Sequence, residues 1–507
     1  MTMTDENLNF DTTRLEKAQV LRDAGLAPYP YRFERSDTIS EIKERFSDIG
    51  HDKSEKVIST AGRIYTVRNH GKTIFADLGD ERGRIQLYMR KADLGDEQFD
   101  LIHKSTDRGD FVGVKGRVFR TRLGEITIWV EEVIILCKAV CPLPEKFHGL
   151  RDTEKRYRQR YVDLIVNEES RETFRRRSRI VSSLRQYLTG LGFLEFETPI
   201  LQPIYGGANA RPFTTYHHYL DQTLYLRIAP ELYLKRLVIG GFEKVFEIAR
   251  NFRNEDVDAQ HNPEFSMVEI YEAYRDYYDM MALTEGIISS LVYETYGCYE
   301  IPFGEVMLNF EPPWRKLSME DAVKEYGGID IHAYSVEELR IIARDKAIEG
   351  FETAATKGEL LALFFEELVE DQLVQPVFVH DFPVENSPLA KMHREKEGFT
   401  ERFELFISGM EIANGFSELN DPVDQMERLV KQDTRRRAGD HEAQMVDYDF
   451  INALGYGMPP TGGVGLGIDR LIMLLTDNRS IKEVILFPQM KASSDLISSQ
   501  EKEPKFD

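Results

Sequence analysis

No run of apolar residues in this 507-residue chain approaches the length of a membrane helix, and residues 1–10 are polar, without the apolar region of a secretory signal. Cysteine is scarce. Cys137, Cys141 and Cys298 are the full set, too few for a disulfide framework and without the spacing of a zinc site, so a reducing, cytoplasmic setting is expected. Positive charge is also in deficit. The 65 Lys and Arg face 87 Asp and Glu, a net charge of −22 at pH 7, which argues against a protein that coats nucleic acid through a general cationic surface. A local basic patch remains open at 151–185, through Lys155, Arg156, Arg158, Arg160, Arg171, Arg175, Arg176, Arg177, Arg179 and Arg185. The alternative is a helix face whose charges are paired internally. There is no internal repeat and no Gly-x4-Gly-Lys-Ser/Thr phosphate loop.

What is present is length enough for two or three domains and, at 42% hydrophobic residues, apolar content for a large core. Residues 12–25 and 38–47 read as short amphipathic helices of an N-terminal extension, 1–55. A β-rich stretch follows, with strands expected at 57–66, 73–78, 84–89, 111–121 and 125–136 and hairpin turns at Gly79-Asp80-Glu81-Arg82-Gly83 and Arg122-Leu123-Gly124. Five such strands over 56–142 suit a small OB-type barrel, a fold that often binds single-stranded nucleic acid. Cys141-Pro142-Leu143-Pro144 opens a linker, 143–155, and a second domain runs over 156–491. In it, 174–189 reads as a long helix stopped by Gly190-Leu191-Gly192, and 193–198 as a strand ending at Pro199. Segments 244–253 and 264–271 read as strands that can pair. Residues 276–373 read as a mainly helical insertion, 376–384, 403–407 and 411–419 as strands, 466–476 as a helix, and 492–507 as a disordered tail.

Strand alternation puts Phe265, Met267, Glu269 and Tyr271 on one face and Val268 and Ile270 on the other. Arg253 shares a face with Glu247, Ala249 and Asn251. Paired, the two strands place Arg253, Phe265, Glu269 and Tyr271 on one polar floor. Periodicity alone equally allows a half-exposed sheet with solvated charges.

Two segments sharpen the choice. One is Phe252-Arg253-Asn254-Glu255, followed by His261-Asn262-Pro263-Glu264-Phe265. The other, far downstream, is Gly463-Val464-Gly465-Leu466-Gly467-Ile468-Asp469-Arg470-Leu471. Together they resemble motifs 2 and 3 of the class II aminoacyl-tRNA synthetases, and the residues around them resemble the lysyl-tRNA synthetases. The resemblance runs over about 56–491. It implies an α+β chain: an N-terminal OB-fold barrel that binds the anticodon, then an antiparallel-sheet catalytic domain with flanking helices, dimeric through the helix and strand that resemble motif 1. The activity implied is ATP-dependent attachment of L-lysine to tRNA(Lys) through a lysyl-adenylate, releasing AMP and pyrophosphate.

The resemblance also assigns residues. Arg253 matches the arginine that bridges the amino-acid carboxylate and the α-phosphate, a role suited to a planar guanidinium fork. Phe265 and Arg470 match the pair that sandwiches adenine. Glu255 and His261 match further ATP contacts. Glu404 and Glu411 match the magnesium carboxylates, for up to three Mg2+ ions with ATP and no organic cofactor. Gly207, Glu231, Glu269, Tyr271, Asn414, Phe416 and Glu418 match the lysine pocket, with Glu418 facing the ε-ammonium. Arg68, Phe75, Gln86 and Glu125 match anticodon contacts, with Phe75 able to stack a base and Gln86 able to read a base edge. The glycines of the second segment suit close backbone approach where a strand meets its helix. Two features depart from the pattern: an acidic loop, Asp256-Val257-Asp258-Ala259-Gln260, and Tyr205 where proline is usual. Three rivals are weaker. A paralogue that modifies elongation factor P would lack the barrel, an aspartyl or asparaginyl enzyme would want a cationic pocket, and an inactive binding protein would not need Arg253, Glu404, Glu411 and Arg470 intact.

Overall fold

The computed structural model describes residues 9–144 and 150–491; the linker at 145–149 and the expected tail lie outside the described residues. The chain divides into two compact units, one ending at Arg151 and one starting at Asp152.

In the first unit, α1 (Thr12–Asp23) and α2 (Ile39–Arg45) precede β1 (Val57–His70), β2 (Thr73–Gly79) and β3 (Arg84–Arg90). Then come α3 (Lys91–Leu94), α4 (Asp96–Ser105), β4 (Phe111–Arg120) and β5 (Ile126–Cys137). The strands close into a barrel in the order β1-β2-β3-β5-β4, with β4 returning to β1. Period-2 alternation fills its interior with Ile58, Ile64, Ile74, Leu78, Leu87, Val114, Ile128 and Val130. Each such buried side chain contributes about 1.5–3 kcal/mol. Bulges in β1, against β2, and in β5, against β4, supply bends that closure needs. The N-terminal helices belong to this unit, because Leu21, Ile39 and Ile42 enter the barrel core. Helices α3 and α4 are an addition to the expected strands. Asp96 and Glu97 sit in the first turn of α4, and Phe99 and Ile102 bury one face.

The second unit opens with α5 (Thr153–Arg158), α6 (Arg160–Val166), α7 (Glu168–Gly190), β6 (Leu194–Glu195), β7 (Leu201–Gln202), β8 (Thr214–His217), β9 (Gln222–Leu226) and α8 (Glu231–Ile239). It continues with β10 (Lys244–Phe252), β11 (Glu264–Ala273), α9 (Tyr277–Tyr296), β12 (Glu300–Phe303), β13 (Val306–Asn309), β14 (Arg315–Ser318), α10 (Met319–Tyr326), α11 (Val336–Asp345) and α12 (Lys357–Leu368). It ends with β15 (Val377–Pro383), β16 (Phe399–Ile407), β17 (Met410–Ser417), α13 (Pro422–Arg437), α14 (Tyr448–Gly455), β18 (Thr461–Gly467), α15 (Ile468–Leu475) and α16 (Ile481–Val484). Its centre is an eight-stranded sheet, β14-β15-β16-β17-β18-β11-β10-β6, antiparallel except at its two outer pairs. One face, with Phe246, Val268, Ile270, Phe403, Leu405, Val464 and Leu466, shares an apolar core with α7, α9 and α15.

Three expectations change. The strand expected at 193–198 is confined to Leu194 and Glu195, with one further backbone bond from the Phe196 N–H to the Phe246 carbonyl at 2.9 Å. The helical insertion is narrower than 276–373, since α9 carries Met280, Ile287 and Leu291 into the main core, while α10 to α12 form a core of their own against β15. The basic patch is largely consumed by ion pairs. Arg160 is fully buried against Asp163, Arg156 reaches Asp163 and Glu483, and Arg171, Arg175, Arg176 and Arg179 meet Glu168 or Glu172.

Candidate active site

The face of the sheet opposite the main core carries the site. In the β10–β11 pair, Glu247 stands opposite Glu269, Asn251 opposite Phe265 and Val245 opposite Tyr271. Val268 and Ile270 point the other way and are fully buried. Strand β18 lies between β11 and β17, with Gly463 and Gly465 facing Tyr271 and Glu269 on one side and Phe416 and Asn414 on the other. A Cβ on Gly463 would overlap Glu418 Oε1, and one on Gly465 would lie 2.7 Å from Met267 Cε. These two glycines therefore clear the floor for the side chains of the flanking strands. The close approach expected at a strand–helix junction occurs instead inside the sheet.

Every residue assigned from sequence to the ATP and lysine sites lines one cavity of about 410 Å³. At one end Glu231, Glu269, Tyr271 and Glu418 are buried, at 5%, 4%, 3% and 1% exposure. The Tyr271 hydroxyl donates to Glu269 Oε2 at 2.9 Å. Burial and the neighbouring Glu231 push the Glu269 carboxyl up to about 8. Burial also raises Glu418 and Glu231, against the pull of Lys235, and holds the Tyr271 phenol well above its usual range. Gly207 adopts φ of +90°, and its N–H donates to Gln444 Oε1 at 3.0 Å.

The Arg253 guanidinium lies 5.0 Å over the Phe265 ring, and its Nε has no hydrogen-bond partner. Burial lowers its pKa against the pull of Glu255, Glu411 and Glu269, and among the described residues it forms no direct ion pair, a state that favours anions nearby. Toward the loop, Asp258 Oδ1 accepts from the backbone N–H groups of Gln260 and His261 at 2.6 and 2.7 Å, and Oδ2 meets His261 Nδ1 at 2.8 Å. His261 Nε2 lies 2.9 Å from Arg470 Nη2. A guanidinium can only donate, so His261 accepts at Nε2 and donates at Nδ1. The acidic loop thus orients His261 toward Arg470. Tyr205 is also accounted for. It is buried, packs 5.0 Å from Tyr225, and its hydroxyl donates to the Ala443 carbonyl, anchoring the loop that carries Gly207.

Glu404 is held by Arg402 and lies 3.4 Å from Asn414 Nδ2; burial is the main cause raising its carboxyl to about 7. Glu411 is half-exposed, 3.7 Å from Arg470. Among the described residues no group of three or more His, Cys, Asp or Glu side chains could hold a metal alone. Two hard carboxylates fit a magnesium ion whose other ligands are phosphate and water oxygens.

Sequence reading missed several contributors. Asp469 accepts from Ser266 N at 2.7 Å and pairs with Arg177 at 2.5 Å, which fixes Arg470 next to it against β11. Lys235, buried one turn after Glu231, reaches Glu231 at 2.6 Å and also touches Glu418. The i,i+4 spacing signalled the first of these pairs. Nothing local signalled Gln444, Asp469 or the contact to Glu418.

On the barrel, Arg68 is exposed and pairs loosely with Asp77 at 3.6 Å. Phe75 is half-buried in a cluster of rings, 4.9 Å from Tyr88, which in turn lies 4.8 Å from Trp129 and 5.9 Å from Phe119. Phe75 thus belongs to a group of four packed rings on the barrel. Gln86 is buried, and both ends of its amide are engaged: Nε2 donates to Glu125 at 2.9 Å, and Thr127 donates to Oε1. Reading a base edge through Gln86 requires exchanging these partners.

The comparisons with known proteins agree with this geometry. Residues 152–491 match the family described as tRNA synthetases class II (D, K and N), and residues 58–136 match the OB-fold nucleic acid binding domain. The chain is 68% identical over 484 residues to a lysine–tRNA ligase of Methanoculleus marisnigri, covering 96% of this chain and 95% of the relative. It is 66% identical to one from Methanospirillum hungatei over 96% of each chain, and 51% identical to one from a Nostoc species over 99% of this chain and 91% of the relative. The chain belongs to the class II tRNA synthetases, in the family of the lysine–tRNA ligases.

Proposed function

We propose that the protein joins L-lysine to tRNA(Lys) in two steps, through a lysyl-adenylate, releasing AMP and pyrophosphate. The observation that carries the choice of amino acid is the group of three buried carboxylates, Glu231, Glu269 and Glu418, at one end of the cavity that also holds Arg253, Phe265 and Arg470. A substrate with two ammonium groups suits the first end, and one with an adenine and phosphates suits the other.

The lysine carboxylate is already an anion, so attack on the α-phosphate needs no general base. Arg253 bridges the carboxylate and the α-phosphate and holds them in line. Phe265 and Arg470 clamp adenine, with His261 and Asp258 keeping Arg470 aimed. Glu255 approaches the ATP from the loop. Glu404 and Glu411 would hold magnesium, up to three ions with ATP, which when bound would neutralise charge on the triphosphate. Gly207 offers its backbone to the α-ammonium, and Asn414, Phe416 and Tyr271 shape the path to Glu418. The 3′ hydroxyl of the terminal ribose then takes the lysyl group.

The functional divisions we assign are 1–55, 56–142 for the anticodon domain, 143–155, 156–491 for catalysis and 492–507. Phe75, Arg68, Gln86 and Glu125 read the anticodon. A homodimer through 174–199 is supported by Leu191 and Leu194, both exposed, the latter in the edge strand β6. Among the described residues no helix is long and apolar enough to cross a membrane. With tRNA and ATP as substrates, the cytoplasm is the place of action. The test is pyrophosphate exchange with each of the twenty amino acids; dependence on lysine is expected, and dependence on another amino acid, or none, overturns the reading.

A further inference from the structure

Three carboxylates meet at the amino-acid end of the cavity, and the protein supplies one cation of its own there. Lys235 is fully buried on α8. Its Nζ lies 2.6 Å from Glu231 Oε1, contacts Glu418 Oε2, and stands 5.3 Å from the Phe416 ring. Helix α8 brings Glu231 and Lys235 together through its i,i+4 spacing, and Glu418 arrives from just beyond the end of β17. Glu269 has no cation of this kind; it accepts from the Tyr271 hydroxyl and feels Glu231, Glu247 and the more distant Arg253. Arg402 also acts on Glu231, but its guanidinium is paired with Glu404 and so adds no free charge to this end.

Fully ionised, three carboxylates against one ammonium leave two negative charges. That is the number of positive charges a lysine brings at its α and ε positions. An ornithine- or lysine-like substrate completes the balance. A neutral side chain leaves one carboxylate without a counter-ion, which is costly in a buried site.

We propose that Lys235 is a positioning and specificity-determining residue: a fixed internal counter-ion that holds Glu231 and Glu418 in place and sets the pocket's charge to that of one doubly cationic amino acid. It remains between the two carboxylates when substrate binds, and substrate shares them. This inference rests on the proposed lysine specificity and deepens it. Without Lys235, one more carboxylate must keep a proton, and lysine must displace that proton to bind. The cost appears in lysine binding and in its pH dependence, not in ATP binding.

The test is steady-state pyrophosphate exchange by the full chain and its Lys235→Met and Lys235→Arg variants, with lysine and ATP varied in turn across the neutral to alkaline range. Lysine-dependent exchange by the wild type is the first requirement; its absence defeats the functional reading itself. Given that activity, Lys235→Met is expected to raise the lysine KM at least about tenfold and leave the ATP KM unchanged, as for a buried charge pair losing one partner. Its lysine KM should continue to fall with rising pH after the wild-type curve has levelled, and Lys235→Arg should restore the wild-type profile. Equal rises in both KM values, or a Lys235→Met pH profile that overlays the wild type, overturn the inference while leaving lysine specificity intact. If Lys235→Met does not fold, a crystal structure of the wild type with lysine decides. Nζ still within hydrogen-bond reach of both Glu231 and Glu418 supports the inference, and an Nζ withdrawn from either refutes it.

Discussion

Adding a single methyl group to the sheet at Gly463 should separate the two ends of the cavity. Gly463 sits between Tyr271 and Phe416 in the register of β11, β18 and β17. A Cβ there would overlap Glu418 Oε1 and lie 2.6 and 2.8 Å from Tyr271 Cε1 and Cδ1, closer than the 3.0 Å that real Cβ atoms keep. Neither neighbour can retreat at low cost. Glu418 is 1% exposed and tied to Lys235; Tyr271 is 3% exposed and tied through its hydroxyl to Glu269. The methyl must displace the Glu418 carboxylate or push β18 out of register. Overpacking of this kind costs about 1–3 kcal/mol. Expressed in substrate use at about 1.36 kcal/mol per decade, Gly463→Ala should lower lysine kcat/KM roughly five- to 150-fold. The ATP KM should hold, because the atoms nearest the added one belong to Glu418 and Tyr271 and not to Phe265, Arg470, Glu404 or Glu411. Gly455→Ala is the control: its Cβ would meet nothing within 4 Å. Pyrophosphate exchange with lysine and ATP titrated separately measures both effects. A wild-type lysine KM in Gly463→Ala, or a loss shared equally by both substrates, would refute the claim that this glycine makes room for the lysine end.

Other expectations follow from the same geometry. Glu269 is raised to about 8, so below that pH it carries a proton that a bound ammonium must expel. Lysine kcat/KM should therefore rise with pH, by up to about tenfold per unit below pH 8, and level above it. A profile flat from neutral pH upward sinks this. Arg253→Lys keeps the charge but loses the fork, and should slow adenylate formation by about 10²–10³ in single-turnover measurements; a rate near wild type removes Arg253 from the bridge. Phe75→Ala should weaken charging of tRNA(Lys) by about 1–3 kcal/mol of stacking while lysine-dependent exchange stays unchanged. A loss of exchange would mean that the ring supports folding of the barrel instead. Asp469→Asn removes the charge that meets Arg177 and should raise the ATP KM more than the lysine KM, and equal changes would assign Asp469 to general stability.

Much of this architecture is legible in local patterns. Val268 and Ile270 alternate with Glu269 and Tyr271, and that alternation alone separates core face from site face before any partner strand is known. The barrel strands are bounded by turn residues and read almost to their ends. What stays hidden depends on long-range contact or on reuse of a local signal. Phe99 and Ile102 in α4 follow a short helical period that a β-rich context obscures. Strand 193–198 looks complete in sequence because aromatic and apolar residues suit a strand, yet the strand is confined to Leu194 and Glu195, and the segment beyond meets β10 through isolated bonds from Phe196 and Thr198. The arginines of 151–185 read equally as a cationic surface or as an internal ionic lattice. Local acids, Asp163, Glu168 and Glu172, take most of them, and two distant ones complete the lattice: Glu483 and Asp469 lie about three hundred positions away and draw Arg156 and Arg177 inward.

The same limit explains why the site residues are legible and their supports are not. A residue that meets substrate is constrained by the chemistry of the substrate, so its type carries a signal wherever its motif occurs. A residue that positions another is constrained only by that neighbour. Gln444 holds Gly207 across 237 positions, and Lys235 holds Glu418 from another element. Of these, only the Glu231–Lys235 pair falls within one helical turn, and that pair is surface-like in sequence: an acidic and a basic residue at i and i+4 are the usual mark of a solvated helix face. Burial inverts the meaning. At 5% and 0% exposure the same pair is an expensive arrangement that persists only where a third group, here Glu418, makes use of it. The pocket's charge is therefore a property of three elements together, α8, β11 and the end of β17, and it becomes readable only when the sheet is assembled.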